Sequence, residues 1–131
     1  MLGEKNRLKS YMDQRGVLLP INNVPFTVRR IFYIFDVPSE TIRGNHASKT
    51  SKFFYTMLKG TCFVELNDGE NTEKYELNSG NTLYFNELVW MKLYNFSSDA
   101  MLCVLSDQQY RKEDYIDDYS LFSEIVRDLN V

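Results

Sequence analysis

Apolar residues alternate with polar ones over short stretches through most of this chain, and turn residues separate the stretches at close spacing. In Cys62-Phe63-Val64-Glu65-Leu66 the even positions are uniformly apolar, as a strand buried on one face requires. Phe26 to Val37 is rich in aromatic and β-branched residues and predicts a strand that Pro38 stops. Lys52 to Leu58 predicts another, turned by Lys59-Gly60. Asn67-Asp68-Gly69 is a strong turn signal, and the polar segment after it ends in Tyr75-Glu76-Leu77. Beyond the turn Asn78-Ser79-Gly80-Asn81, further strands are predicted at Thr82–Phe85, Leu88–Tyr94 and Met101–Leu105. Residues 1–23 are polar, with a turn at Arg15-Gly16 and an apolar run, Val17-Leu18-Leu19, that can pair as a first strand. The segment around His46 reads as a loop pivoting on Gly44. Strands in such close succession argue for an all-β sandwich or barrel. Only the end changes period: Leu121, Phe122, Ile125, Val126 and Leu129 share one helical face, which predicts an amphipathic helix over 118–129. That stripe serves packing, over an open barrel end or at a subunit contact.

Length and composition sharpen this picture in a few places. A chain of 131 residues suits one domain, 1–131, with a real core, and an aromatic content of 15% fits the strand-rich reading. A net charge of −3 gives no reason to expect nucleic-acid binding, yet leaves room for a small phosphorylated ligand held by two or three arginines. Cys62 and Cys103 lie in apolar runs without C-x-x-C spacing, so they read as buried free thiols in a reducing, cytoplasmic setting. No apolar stretch approaches membrane-spanning length, and the first ten residues lack the apolar core of a signal peptide.

The candidate chemistry centres on His46, the single histidine. Its unperturbed pKa makes it the first candidate for proton transfer near neutral pH, although a lone histidine at a strand end often has no chemical role. One imidazole excludes a histidine-rich metal cup, and Glu65, Asp68 and Glu70 sit on a hairpin that commonly exposes such residues, so no metal is expected. Thiols buried in apolar strands make poor nucleophiles, and no G-x-S-x-G elbow or Gly-rich phosphate loop occurs. Arg29 and Arg30 point to opposite faces of a strand, so at most one enters the barrel. An inward arginine needs an anion, either one of the chain's own carboxylates or a bound phosphate gripped in bidentate fashion. Tyr33, Tyr55, Tyr84 and Trp90 are core rings or platforms that stack on a base or sugar.

Several motifs in order carry a resemblance: Arg15-Gly16-x-Leu18, Pro25-Phe26-x-Val28-x-Arg30-x-x-Tyr33-Ile34-Phe35-Asp36, Arg43-Gly44-x-His46-Ala47, Leu58-x-Gly60, Asp68-Gly69, Val89-Trp90, Asn95-Phe96-Ser97-Ser98-Asp99, and Asp114-Tyr115-Ile116 with Tyr119 and Phe122. From about Arg15 to Phe122 the chain resembles the cupin-fold sugar 3,4-ketoisomerases that act on thymidine-diphosphate-linked (dTDP) 4-keto-6-deoxyglucose. The resemblance implies a cupin-type jelly-roll with a short C-terminal α-helix. It also implies a metal-independent, cofactor-free tautomerisation through an enediol(ate), supplying 3-amino-sugar synthesis for surface glycans such as the lipopolysaccharide O-antigen. His46 takes the place of the family's catalytic base, Arg30 and Arg43 would hold the diphosphate or steady oxyanion charge, and Tyr33, Ser48 and Trp90 would complete the substrate site. The resemblance further implies a homodimer that exchanges N-terminal strands. The chain departs from the family at Ser48 and Met91, where histidines are usual, and at Phe32, where a tyrosine is common. Two other functions fit the same scaffold: a different dTDP-sugar epimerase or isomerase, and a non-catalytic nucleotide-sugar-binding module.

Overall fold

Strand parity decides where each side chain goes. The computed structural model describes residues 1–130. One antiparallel sheet holds β1 (Gly3–Arg7), β9 (Asn81–Phe85), β6 (Phe53–Lys59), β11 (Met101–Ser106) and β4 (Arg30–Phe35), in that order. The second holds β12 (Tyr115–Ile116), β5 (Arg43–Ser48), β10 (Trp90–Tyr94), β7 (Thr61–Asn67) and β8 (Thr72–Asn78). Because β4 and β5, β6 and β7, and β9 and β10 each fall in different sheets, the chain winds back and forth between two layers as a jelly-roll. β2 (Tyr11–Asp13) and β3 (Gly16–Leu18) pair only with each other as a short hairpin.

Between the layers the alternating residues predicted to be inward form the main core. Cys62, Val64 and Leu66 from β7 meet Leu102 and Val104 from β11, with Met57, Leu77 and Leu83, all fully buried. Outer faces are covered separately. Phe54, Cys103 and Leu105, on the back of the first sheet, pack beneath Ile21, Val24 and Phe26. α1 (Tyr119–Leu129) lies over Ala47, Trp90 and Ile116 on the back of the second sheet. The helix therefore backs a sheet and does not plug the barrel end. Asp118 caps it by accepting from the Ser120 and Leu121 backbone N–H groups. Of its predicted apolar face, Phe122 and Val126 are buried, whereas Leu121 and Leu129 stay exposed.

Three local readings change. Arg43–Ser48, expected as a loop, is strand β5. Three strands had no sequence signal: β1 is polar and buries only Gly3, β2 is a fully exposed three-residue strand, and β12 is two residues long. The strand expected over Phe26–Val37 is regular only over Arg30–Phe35. Gly60, at φ +69° between β6 and β7, is required by the turn, because a Cβ there would come within 2.8 Å of the Ala100 backbone.

Candidate active site

A cavity of about 760 Å³ opens between the sheets, within the range of small-molecule sites. β4 turns Arg30, Phe32 and Ile34 into it, and β5 turns in His46 and Ser48. Apolar residues such as Phe53, Phe85 and Met91 form much of its wall, and Tyr110, Tyr115 and Asp117 close one side.

A β-bulge aims His46. β10 pairs Met91 with His46 but Lys92 with Gly44, so Asn45 is the extra residue on β5. Gly44 and Asn45 accommodate it with φ of +74° and +61°, a region that favours Gly and tolerates Asn. A Cβ on Gly44 would sit 2.3 Å from the Met91 sulfur, so glycine also makes room for that side chain. The Asn45 side-chain carbonyl accepts from the Trp90 indole N–H at 3.1 Å, tying the bulge to the neighbouring strand. The His46 imidazole then meets the Tyr115 ring edge-on, with centroids 4.8 Å apart. Burial pushes the His46 pKa below the ordinary value, the Asp117 carboxylate opposes that shift, and the Arg30 cation adds to it. Its ring is therefore mostly neutral at pH 7, as a general base must be.

Arg30 is the inward member of the Arg29-Arg30 pair. Its Nη1 donates to the Tyr115 hydroxyl at 2.8 Å, and its guanidinium lies 4.3 Å from the Phe32 ring centroid and 5.1 Å from that of Tyr110. No carboxylate of the described residues lies within ion-pair distance of Arg30 or Arg43, so both cations at the cavity remain available to an anionic ligand. Ser48 reaches the cavity too, but its hydroxyl donates to buried Asp114, which also accepts from the Thr50 and Ser51 hydroxyls at 2.7 Å each. Burial would raise the Asp114 pKa, but the donors outweigh it and hold the carboxyl below its usual value.

Two expected site residues lie elsewhere. Tyr33 shares a strand with Arg30 but has the opposite parity, so its ring faces outward and is 55% exposed. Trp90 has the opposite parity to cavity-lining Met91 and is buried among Ala47, Ile116 and Phe122 beneath α1. Conversely, Tyr110, Lys112, Glu113, Tyr115 and Asp117 reach the cavity without having been singled out for it. The Asp114-Tyr115-Ile116 motif was a usable signal: its residues alternate between an inner clasp, the cavity and the outer core. Cys62 and Cys103 are free and buried, and burial pushes Cys62 up to about 12, which removes it as a nucleophile. Glu65 faces Lys92 at 3.5 Å and Asp68 accepts backbone N–H groups within its own turn, so neither is directed at the cavity.

Known proteins resemble this chain in both sequence and fold. A family model described as FdtA: WxcM-like, C-terminal, matches residues 4–127. The TDP-4-oxo-6-deoxy-alpha-D-glucose-3,4-oxoisomerase of Aneurinibacillus thermoaerophilus is 36% identical over 127 residues, covering 94% of this chain and 91% of that protein. The crystal structure of WlaRA, a TDP-fucose-3,4-ketoisomerase from Campylobacter jejuni, superposes with a TM-score of 0.89 at 33% identity, over 100% of both chains. A histidine-to-asparagine mutant of the 3,4-ketoisomerase QdtA from Thermoanaerobacterium thermosaccharolyticum, crystallised with TDP-4-keto-6-deoxyglucose, gives 0.89 at 27% identity, over 96% of this chain and 94% of that one. This chain belongs to the FdtA, WxcM-like C-terminal family, whose relatives here are sugar 3,4-ketoisomerases.

Proposed function

We propose that the protein is a metal-independent 3,4-ketoisomerase of a TDP-linked 4-keto-6-deoxyhexose, with His46 as the proton carrier. The observation that carries this reading is the chain's one imidazole, held largely neutral in a cavity beside two arginines that have no carboxylate partner among the described residues. His46 removes the C3 proton, which the adjacent C4 ketone acidifies. The enediol(ate) collapses with a carbonyl at C3, and the imidazolium returns a proton to C4. Arg30 and Arg43 hold the diphosphate or the developing oxyanion. This chemistry needs a proton carrier and charge stabilisation from side chains, and one imidazole supplies the first. The product, a 3-keto sugar, suits an aminotransferase making 3-amino sugars for surface glycans. Buried free thiols support a reducing, cytoplasmic setting.

We further read the chain as half of a homodimer with exchanged N-terminal strands. Ile31, Tyr33 and Phe35 line the outer face of edge strand β4 and are each more than half exposed. The β2–β3 hairpin exposes Met12, Val17 and Leu18, and three-residue strands alone do not hold in water. A second subunit would cover both.

The test is to incubate the chain with TDP-4-keto-6-deoxyglucose in heavy water and follow the sugar by NMR. The expected product has its carbonyl at C3 and deuterium at C4, to the extent that the imidazolium proton exchanges with solvent. A carbonyl retained at C4, with label at C3 or C5, would identify an epimerase instead. An unchanged sugar would leave only a binding module.

A further inference from the structure

Moving a ketone from C4 to C3 transfers two protons, and His46 accounts for one. Besides the carbon-bound hydrogen, the C4 carbonyl oxygen must gain a proton as the C3 hydroxyl loses one. We propose that the Tyr115 hydroxyl, polarised by Arg30, carries that oxygen-bound proton; this rests on the ketoisomerase reading above. Tyr115 lines the cavity with its ring edge against His46, so a sugar carbon at the imidazole has its oxygen near the phenol. Arg30 donates to the phenol oxygen at 2.8 Å, which leaves the phenol's own proton free to point at the ligand. The same cation stabilises a phenolate, so the group can give a proton and take one back.

The step balances. As His46 takes the C3 proton, the C3–C4 enediol forms and Tyr115 passes its proton to O4. The phenolate, held by Arg30, then takes the proton from O3 as the C3 carbonyl forms, and His46 returns its proton to C4. No oxidant or reductant is consumed.

Other protic groups in the cavity fit less well. The Ser48 hydroxyl is committed to Asp114. Tyr55 is 2% exposed and burial raises its pKa well above the usual value, without a cation to offset it. Tyr115 thus fills a role that a second imidazole would otherwise serve.

The experiment compares wild type, Tyr115→Phe, Tyr55→Phe and a 3-fluorotyrosine at position 115, using TDP-4-keto-6-deoxyglucose and NMR. Tyr115→Phe should lower kcat by about 100-fold or more, the scale of general acid–base help, with KM within about threefold. TDP should still raise its melting temperature, which separates lost chemistry from lost folding. Fluorotyrosine, a more acidic phenol, should shift the alkaline limb of the kcat–pH profile to lower pH. A Tyr115→Phe kcat within threefold of wild type would overturn the inference, as would an alkaline limb that ignores the fluorine. A larger kcat loss in Tyr55→Phe than in Tyr115→Phe would move the role to Tyr55 and equally overturn it. Absence of turnover by the wild type would instead overturn the ketoisomerase function itself.

Discussion

What surrounds His46 suits it to the proposed role of base. Burial and the Arg30 cation both disfavour the imidazolium, and the Asp117 carboxylate only partly offsets them. Its folded pKa therefore lies below the ordinary histidine value, and the neutral form prevails down to mildly acidic pH. The kcat/KM profile should fall on the acid side with an apparent pKa below 6.5, set by the free enzyme. His46→Asn should remove that limb and lower the rate at least about 100-fold, while TDP still raises the melting temperature. A variant retaining more than about a hundredth of the wild-type rate would show that another group is the base. At this scale the sequence was informative about residue types and less so about directions. His46 and the arginines stood out because few side chains do their chemistry. Arg30 and Tyr33 could not both face inward on one regular strand, and three residues of separation already decides this once Arg30 is placed. Tyr115 was visible only as part of the Asp114-Tyr115-Ile116 motif, and its direction was not, because a tyrosine in an aromatic-rich chain reads as core until its neighbours are known.

Strand β5 shows why elements near a site are hard to read. Gly44-Asn45 has the composition of a turn, and here those residues form a bulge inside a strand. The bulge lets Arg43, three residues before His46 and opposite Leu93, face the cavity together with His46 and Ser48. Gly44→Ala should cost about 1–2 kcal/mol from the positive φ alone, measured by denaturant unfolding. It should also displace Met91 and depress turnover more than nucleotide binding. Wild-type kcat in that variant would mean that the bulge does not set the imidazole. The far end of β5 is fixed by Asp114, which gathers three hydroxyls and the Thr50 backbone N–H next to the β5–β12 pairing. The carboxylate is held below its unfolded pKa, so its contribution is present above about pH 4, the ordinary carboxylate range, and is lost as pH falls through the folded pKa. Asp114→Asn should destabilise by roughly 2 kcal/mol, the scale of hydrogen bonds to a charged group. That loss should be largest at neutral pH and shrink in acid; a pH-independent difference would assign the clasp to packing.

For the whole molecule, the alternation of Cys62 to Leu66 and the closely spaced turns were enough to read an all-β fold, because burial between two sheets imposes a period of two on every long strand. The polar strand β1 escaped that logic. It is an edge strand, its side chains other than Gly3 meet solvent, and only its backbone holds it to β9. A strand attached mainly by its backbone can pair with any copy of the same edge, which is the physical opening for exchange between subunits. Exposed Ile31, Tyr33 and Phe35 give a second copy something apolar to bury. Light scattering should therefore return twice the 15.5 kDa chain mass, and Tyr33→Glu should shift it toward one chain. Exchange itself needs a separate measurement, since a dimer can form without it. Glu4 faces Tyr84 in the β1–β9 register, so cysteines placed at both positions are neighbours wherever that pairing exists. If the strands are exchanged, oxidation links two chains, and a non-reducing gel shows a covalent dimer that reduction dissolves. A monomeric oxidised band would show β1 closing on its own β9 and would reject the exchange, leaving the outer face of β4 to account for any dimer.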